Sequence, residues 1–179
     1  LIQILCTALA GPDSDLLIPV PTFSMYRILG LNHGYAVREA PLDGAFDLDV
    51  EAMLGIISKK APALTFLSYP NNPTGNCFSA DRMEAILDQS AGIVVVDEAY
   101  GNFSGKTFLP QLKCFQNLVI LRPLSKVGYA ALRIGFLLGA PALLQELNKV
   151  RLPYNLNSLS QAAAAALATS SRVRWRRSR

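Results

Sequence analysis

The sequence predicts an α/β fold in three layers, a mostly parallel sheet with helices packed on both faces. One observation is the order of segments, because short apolar runs of strand length alternate with longer segments of helical period. Another is that these runs are continuously apolar, which is typical of parallel strands buried on both faces. The length of 179 residues is that of about one domain.

The first half of the chain contains helical patterns and strand-length runs. Residues 1–5 have the apolar composition of a helix interior, and the run at 16–20 is too short to show a helical period. Residues 48–58 do show that period and predict a helix. Its apolar face contains Val50, Met53, Leu54 and Ile57. The run at 63–68 predicts a buried strand, which the turn-forming residues 70–73 end.

The second half continues the alternation. Ser79 predicts the N-cap of a helix that ends near Gln89. The apolar face of this helix contains Met83, Ile86 and Leu87. Three later runs predict strands, at 92–96, 117–121 and 134–138. The first of them is rich in β-branched residues, which favours a central strand.

Two helices complete the predicted order of elements. Pro141 is suited to the first turn of a helix, which we expect to end near Val150. The alanine-rich residues 157–169 predict the last helix. No internal repeat or linker interrupts the pattern before the C-terminal segment 171–179.

Composition and charge exclude several classes of protein. With 51% hydrophobic and 17% charged residues, the chain is globular rather than disordered or collagen-like. No apolar run approaches the roughly 20 residues of a membrane-spanning helix, so we expect no membrane partner. Residues 172–179 contain five arginines, and without them 17 basic residues fall to 12 against 13 acidic ones. The near-neutral remainder predicts no nucleic-acid partner, and we expect 171–179 to be a solvated tail or foreign to the fold.

The cysteines and the single histidine exclude further chemistry. Cys6, Cys77 and Cys114 are widely spaced and odd in number, which argues against a zinc site and a disulfide framework. This pattern predicts a reducing, cytoplasmic location. His33 precedes Gly34 in a turn-like stretch, so we expect a turn residue rather than the base of a catalytic triad.

Polar clusters follow three of the predicted strands. They are residues 71–75, residues 97–100, and the pair Ser125 and Lys126. In parallel α/β sheets, ligands bind beyond the carboxyl ends of the strands. We therefore expect the three clusters to meet at one crevice.

Each cluster allows a structural and a chemical interpretation. Lys126 is either a surface lysine or an amine nucleophile, which needs burial or a nearby cation to lower its pKa. Asp97 follows a buried run, so it is either a turn cap or the counter-charge of a buried cation such as a protonated ring nitrogen. Asn72 either forms a plain turn with Pro73 or donates hydrogen bonds. A lysine amine, a carboxylate and a hydrogen-bonding asparagine together match the needs of pyridoxal phosphate. These needs include a Schiff-base lysine and an acidic partner for the ring nitrogen.

Four motifs resemble those of the fold-type-I pyridoxal-phosphate aminotransferases. They are YPNNPTG at 69–75, VDEAY at 96–100, LSK at 124–126 and LRIGF at 132–136. Within that superfamily, the stretches PTFSMY at 21–26 and NKVRLPYN at 148–155 are similar to histidinol-phosphate aminotransferases. The resemblance covers about residues 1–170.

The resemblance implies pyridoxal 5'-phosphate as cofactor and a set of site residues. The set is Phe23, Asn72, Asp97, Tyr100, Ser125, Lys126 and Arg133. Lys126 would be the catalytic residue, bonded to the cofactor aldehyde as a Schiff base and shuttling a proton. Asp97 would pair with the pyridinium nitrogen. No metal is implied.

The remaining members of the set would orient the cofactor. Asn72 and Tyr100 would hydrogen-bond the phenolic oxygen of its ring, and Phe23 would stack on the ring face. Ser125 and Arg133 would hold the phosphate, for which a guanidinium offers a matching fork of donors. One departure is Pro123, which stands where relatives commonly have threonine and removes a possible hydroxyl contact.

The activity implied is transamination of histidinol phosphate with 2-oxoglutarate, giving imidazole-acetol phosphate and glutamate, in histidine biosynthesis. The partners would be a small amino donor, a 2-oxo acid and, in a longer form, a second copy of the chain. Relatives are longer, so we expect residues 1–170 to be part of the large cofactor domain, without the small C-terminal domain. Three alternatives stay open: an inert structural or dimerising remnant, a threonine-phosphate decarboxylase and an aromatic aminotransferase.

Overall fold

A computed structural model describes residues 1–169, which form one six-stranded sheet with helices on both faces. The strands are β1 (Asp15–Val20), β2 (Ala36–Pro41), β3 (Leu64–Ser68), β4 (Ile93–Asp97), β5 (Leu118–Pro123) and β6 (Gly135–Gly139). Their order across the sheet is β2-β1-β3-β4-β5-β6, and only the last pair, β5 and β6, is antiparallel within the described residues. The mostly parallel sheet predicted from the sequence is confirmed.

The described chain contains seven helices. They are α1 (Ile2–Leu9), α2 (Met25–Asn32), α3 (Val50–Lys59), α4 (Ala80–Gln89), α5 (Gly101–Ser104), α6 (Pro141–Lys149) and α7 (Ser158–Thr169). Short 3-10 turns cover Leu109–Lys113, Leu124–Lys126 and Ala130–Leu132. No helix in residues 1–169 combines the length and the apolar character needed to cross a bilayer.

The sheet has a hydrophobic core on each face, which explains why its strands are continuously apolar. In β4, Val94 and Val96 pack into the core beneath α3 and α4, whereas Val95 points to the core beneath α1, α2 and α6. In β5, Ile120 and Val119 divide between the two cores in the same way. Because successive side chains of a strand point to opposite faces, burial on both sides requires apolar residues at every position.

Helices α3 and α4 bury the faces that the sequence predicts. Met53 and Ile57 of α3 and Met83 of α4 are buried in one core. Asp49 caps α3 by accepting a hydrogen bond from the backbone N–H of Ala52 at 2.9 Å. Ser79 occupies the N-cap position of α4, as predicted, but its side chain does not make the hydrogen bond to the helix backbone that an N-cap residue usually makes.

The hydroxyl of Ser79 donates to Asp47 Oδ2 at 2.6 Å and makes no capping hydrogen bond to α4. Asp47 also accepts from the Ser79 backbone N–H at 3.1 Å, which ties the loop before α3 to the start of α4. The competing acceptor comes from 32 residues earlier in the chain, so no local pattern reveals it.

Strand β2 and helix α2 were not predicted, and neither was the four-residue helix α5. Strand β2 lies at the edge of the sheet, where Arg38 and Glu39 are exposed, so it lacks a continuous apolar run. Helix α2 has only Tyr26 and Gly30 buried, which is too few residues to give a clear period. The arginine-rich segment 171–179 lies outside the described residues.

His33 ends α2, and its ring is held by two hydrogen bonds. Its Nδ1 donates to the Leu29 carbonyl at 2.7 Å, and its Nε2 lies 3.1 Å from Thr7 Oγ1. The predicted role as a residue at a turn is confirmed by its position between α2 and β2. The cysteines Cys6, Cys77 and Cys114 are unpaired, and no group of three or more potential metal ligands occurs in residues 1–169.

Asp15 links the start of β1 to its neighbours through a buried carboxylate. Arg38 Nε donates to Asp15 Oδ2 at 2.8 Å and Lys60 Nζ donates to Oδ1 at 2.7 Å, while the Asp15 side chain is 2% exposed. Burial alone raises the pKa of this carboxyl, but the hydrogen bonds and charges of Lys60 and Arg38 outweigh it and leave the pKa lowered. Charged Asp15 therefore stabilises the fold.

We expect Asp15→Asn to lower the free energy of unfolding at pH 7 by about 1–3 kcal/mol. A lowered pKa contributes stability above the unfolded value of about 3.9, and that contribution is lost as the pH falls through the folded value. The difference between the variant and the wild type should therefore shrink below about pH 4. Urea unfolding at a series of pH values measures it, with exposed Asp88→Asn as control. A difference that stays constant with pH would contradict this prediction.

Candidate active site

A cavity of about 510 Å³ opens beyond the carboxyl ends of β3, β4 and β5. All seven site residues expected from the sequence contribute to its walls: Phe23, Asn72, Asp97, Tyr100, Ser125, Lys126 and Arg133. A volume of this size suits a small organic ligand, since such sites typically span about 300–1,000 Å³. The three polar clusters therefore meet at one cavity, as expected.

The parallel register explains why residues from distant parts of the chain meet here. Ser68 at the end of β3 pairs with Asp97 at the end of β4, and Asp97 pairs with Leu121 of β5. The loops that leave these strands therefore begin side by side at one edge of the sheet. They place Asn72 after β3, and Lys126 after β5, around the same opening.

Asp97 is a buried carboxylate without a cationic side-chain partner. Its side chain accepts hydrogen bonds from the Tyr26 hydroxyl at 2.9 Å and from the Ala99 backbone N–H at 3.0 Å. None of the ion pairs formed within residues 1–169 includes Asp97, which is 7% exposed. Burial raises its pKa above the ordinary value, and the bonds from Tyr26 and Ala99 oppose that shift. A cation in the cavity would relieve this desolvation, so the site fits a ligand with a positive charge.

Lys126 ends the 3-10 turn that follows β5 and contributes to the lining of the cavity. Its Nζ lies 5.1 Å from the centre of the Tyr100 ring, within the range of a cation–π contact. No hydrogen-bond acceptor in the described chain holds this amine. The Lys126 amine is therefore open to a ligand in the cavity.

The turn between β5 and β6 places Ser125 and Arg133 on one wall. Arg133 has a left-handed backbone with φ 57°, which ends the 3-10 turn Ala130–Leu132. Such a conformation costs a non-glycine residue about 1–3 kcal/mol and persists only where the surroundings impose it. Here the backbone N–H of Leu124 donates to the Ile134 carbonyl at 2.9 Å and closes the turn. A hydroxyl and a guanidinium on one wall suit a phosphate.

Asn71, which the sequence did not single out as a site residue, holds the turn that carries Asn72. Its side-chain amide donates to the Pro21 carbonyl at 3.0 Å and to Thr74 Oγ1 at 2.8 Å, and its Oδ1 accepts from the Thr22 hydroxyl at 2.9 Å. These contacts join the turn to the loop before Phe23. The NNPTG motif therefore forms a turn, and this turn places Asn72 in the lining of the cavity.

An aromatic stack supports the flat wall of the cavity. Phe23 meets Tyr26 edge to face, with ring centres 5.4 Å apart at 87°. Tyr26 in turn lies parallel to Phe66 of β3, with centres 4.6 Å apart. The stack fixes Phe23 against the sheet, where its ring can cover one face of a planar ligand.

A second buried cluster joins the ends of β4 and β5 behind the cavity. Arg122 donates through Nε and Nη2 to Glu98 Oε2, at 2.7 and 2.6 Å. Glu98 Oε1 accepts from the Thr107 hydroxyl at 2.9 Å and from the Phe108 backbone N–H at 2.6 Å. Glu98 follows Asp97 directly, and Arg122 precedes the turn that contains Lys126. The ion pair between Glu98 and Arg122 therefore fixes the position of Asp97 relative to that turn.

Sequence reasoning missed Tyr26, Asn71 and the pair Glu98 and Arg122. Glu98 and Asn71 do lie inside the motifs, but nothing in the motifs distinguishes their supporting roles from direct ligand contact. Tyr26 is 71 residues from Asp97 in the chain, so only the folded structure brings its hydroxyl to the site.

Comparisons with known proteins agree with this architecture. The chain matches the family model described as aminotransferase class I and II over residues 1–178. It is 50% identical over 169 residues to histidinol-phosphate aminotransferase 2 of Nitrosococcus oceani, covering 92% of this chain and 46% of that protein. It is 48% identical over 164 residues to histidinol-phosphate aminotransferase of Neisseria meningitidis serogroup B, covering 92% of this chain and 45% of that one. The chain thus spans about half the length of the curated relatives it matches.

Solved structures confirm the predicted fold class. The histidinol-phosphate aminotransferase of Sinorhizobium meliloti in complex with pyridoxal-5'-phosphate aligns with a TM-score of 0.82 at 24% identity, covering 94% of this chain and 47% of that one. The aspartate aminotransferase of Thermus thermophilus with maleate aligns with a TM-score of 0.84 at 20% identity, covering 94% and 46%. The family match and the close relatives establish that this chain belongs to the aminotransferase class I and II family.

Proposed function

We propose that this chain forms the cofactor-binding part of a pyridoxal-phosphate-dependent aminotransferase that acts on histidinol phosphate. The observation that carries the proposal is one cavity lined by Asp97, Lys126 and Arg133, which bring together a buried carboxylate, a lysine amine and a guanidinium. Within residues 1–169, the carboxylate has no cationic side-chain partner. The substrate rests on the relatives at 50% and 48% identity, whose names specify histidinol phosphate.

The residues of the cavity fit this cofactor by their chemistry. Asp97 supplies the negative charge that a protonated ring nitrogen needs in a buried place. Phe23 offers an aromatic face to the ring, and Asn72 and Tyr100 offer polar atoms to its phenolic oxygen. Ser125 and Arg133 offer donors to the phosphate, so the seven residues would hold the group at its charged and polar points.

When bound, pyridoxal phosphate supplies an aldehyde that accepts an amino group and a ring that withdraws electrons from the substrate's α-carbon. Lys126 Nζ would hold the aldehyde carbon of the group and, when free of it, would move a proton at the substrate's α-carbon. Asp97 would hold the ring nitrogen in its protonated form, which would stabilise negative charge on the group.

The wider setting is also part of the proposal. The second substrate is a 2-oxo acid, 2-oxoglutarate, and the reaction belongs to histidine biosynthesis in the cytoplasm. Residues 1–170 belong to the large domain of a longer, homodimeric form that includes a small C-terminal domain. The length of the relatives supports this, since the chain covers 46% of one and 45% of another.

The test begins with covalent capture of the cofactor. The purified chain is mixed with pyridoxal phosphate, reduced with borohydride and digested, and the peptide carrying the added mass is identified. We expect the label on Lys126. Labelling spread over exposed lysines, or none, would refute the cofactor assignment.

A second arm tests the reaction and the donor. L-histidinol phosphate, threonine phosphate and an aromatic amino acid are added separately, and conversion of pyridoxal phosphate to pyridoxamine phosphate is followed by chromatography. We expect histidinol phosphate to give the fastest conversion. Specific labelling of Lys126 without conversion by any donor would favour the inert remnant over the enzyme.

A further inference from the structure

The hydroxyl of Tyr26 is buried next to the carboxylate of Asp97. The residue lies in α2, is 0% exposed, and donates to Asp97 Oδ2 at 2.9 Å. Its ring forms part of the cavity lining. None of the roles assigned above to the seven site residues uses this hydroxyl.

Two aromatic contacts determine where the hydroxyl points. The Tyr26 ring is parallel to Phe66 within 1° and meets the edge of Phe23 at 87°. Phe66 pairs with Val95 in the sheet, two residues before Asp97. The sheet that positions the carboxylate therefore also positions the tyrosine, and the hydrogen bond between them is pre-organised.

The phenol can act only as a donor to this carboxylate. Burial and the neighbouring Asp97 charge raise the pKa of Tyr26 well above its ordinary value, so the phenol stays protonated. A donated hydrogen bond favours the charged form of an acid. The other groups that act on the Asp97 charge are Glu98, which opposes it, and the amino group of Leu1, which favours it.

We propose that Tyr26 is a positioning residue that keeps Asp97 ionised and aimed at a cationic ring nitrogen in the cavity. This inference rests on the proposed function, because the cation is the ring of pyridoxal phosphate. The backbone N–H of Ala99 holds the other oxygen of the carboxylate, so the two donors together determine its orientation.

The test is Tyr26→Phe, which removes the hydroxyl and keeps the stacked ring. A hydrogen bond to a charged group is worth enough that we expect the dissociation constant of pyridoxal phosphate to rise about tenfold or more. The second readout needs no cofactor: the carboxyl of Asp97, labelled with ¹³C, is titrated by NMR. Its midpoint should move to higher pH in the variant.

Tyr35→Phe is the matched control, because it also removes a buried phenol hydroxyl. Tyr35 is 3% exposed and donates to the Cys6 carbonyl at 3.1 Å, away from the residues that line the cavity. We expect wild-type cofactor affinity and a wild-type Asp97 midpoint in this control.

The outcomes separate the two proposals. Wild-type affinity and midpoint in Tyr26→Phe would overturn the role of Tyr26, as would equal losses in Tyr26→Phe and Tyr35→Phe. If the wild-type chain fails to bind pyridoxal phosphate, the proposed function fails. The NMR midpoint then still decides whether Tyr26 holds the charge of Asp97.

Discussion

Replacing Lys126 with alanine is expected to abolish specific cofactor capture and to reduce transamination by at least about 10³-fold. Lys126 lines the cavity, and no acceptor in the described chain holds its amine. The variant loses both the nucleophile and the group that moves the proton. Borohydride capture and single-turnover conversion of the cofactor measure the two losses separately.

Two further variants make this prediction specific. Lys126→Arg should fail as completely as the alanine variant, because a guanidinium keeps the positive charge but is not deprotonated in proteins. Lys113→Ala, at an exposed lysine in the 3-10 turn Leu109–Lys113, should behave like the wild type. Activity or specific capture that survives in Lys126→Ala would show that another residue bonds the cofactor.

Replacing Glu98 with glutamine is expected to lower the free energy of unfolding by about 3–5 kcal/mol. The side chain of Glu98 is 0% exposed and that of Arg122 is 20% exposed, so the change removes a buried carboxylate that pairs with a largely buried guanidinium. Urea unfolding at pH 7 measures the loss. Asp97 ends β4 and Lys126 lies in the turn that follows β5, next to this pair, so cofactor affinity should fall as well.

The control for Glu98 is the same substitution in an exposed pair. Glu146 and Lys149 form an ion pair in α6 with both side chains about two-thirds exposed. Glu146→Gln should change stability by less than about 1 kcal/mol, because water screens the pair. Equal effects of Glu98→Gln and Glu146→Gln would mean that burial of the first pair has no energetic consequence.

The fold class and most of the candidate site could be predicted from the sequence. The apolar runs at 63–68, 92–96 and 117–121 correspond to three neighbouring strands, because burial on both faces leaves a continuous signal. Once these strands are parallel, the residues that follow them must meet at one edge of the sheet. For this reason the seven site residues identified from sequence motifs line one cavity.

The edge of the sheet was not predictable in the same way. Strand β2 is half exposed and carries Arg38 and Glu39, so its sequence lacks the period of a buried strand. Ser79 is the N-cap residue of α4 as predicted, but its hydroxyl donates to Asp47 of another loop instead of capping the helix. Local propensity cannot anticipate an acceptor that arrives through tertiary packing.

The sequence by itself determined the fold class, the buried strands and the kinds of side chain at the ends of those strands, because hydrophobic period and turn residues are local properties. Only the tertiary structure decided whether those side chains are ionised and how they are oriented. Whether Asp97 is ionised depends on its burial and on the hydroxyl of Tyr26, 71 residues away in the chain. A pKa is set by the three-dimensional surroundings of a group, which no short stretch of sequence contains.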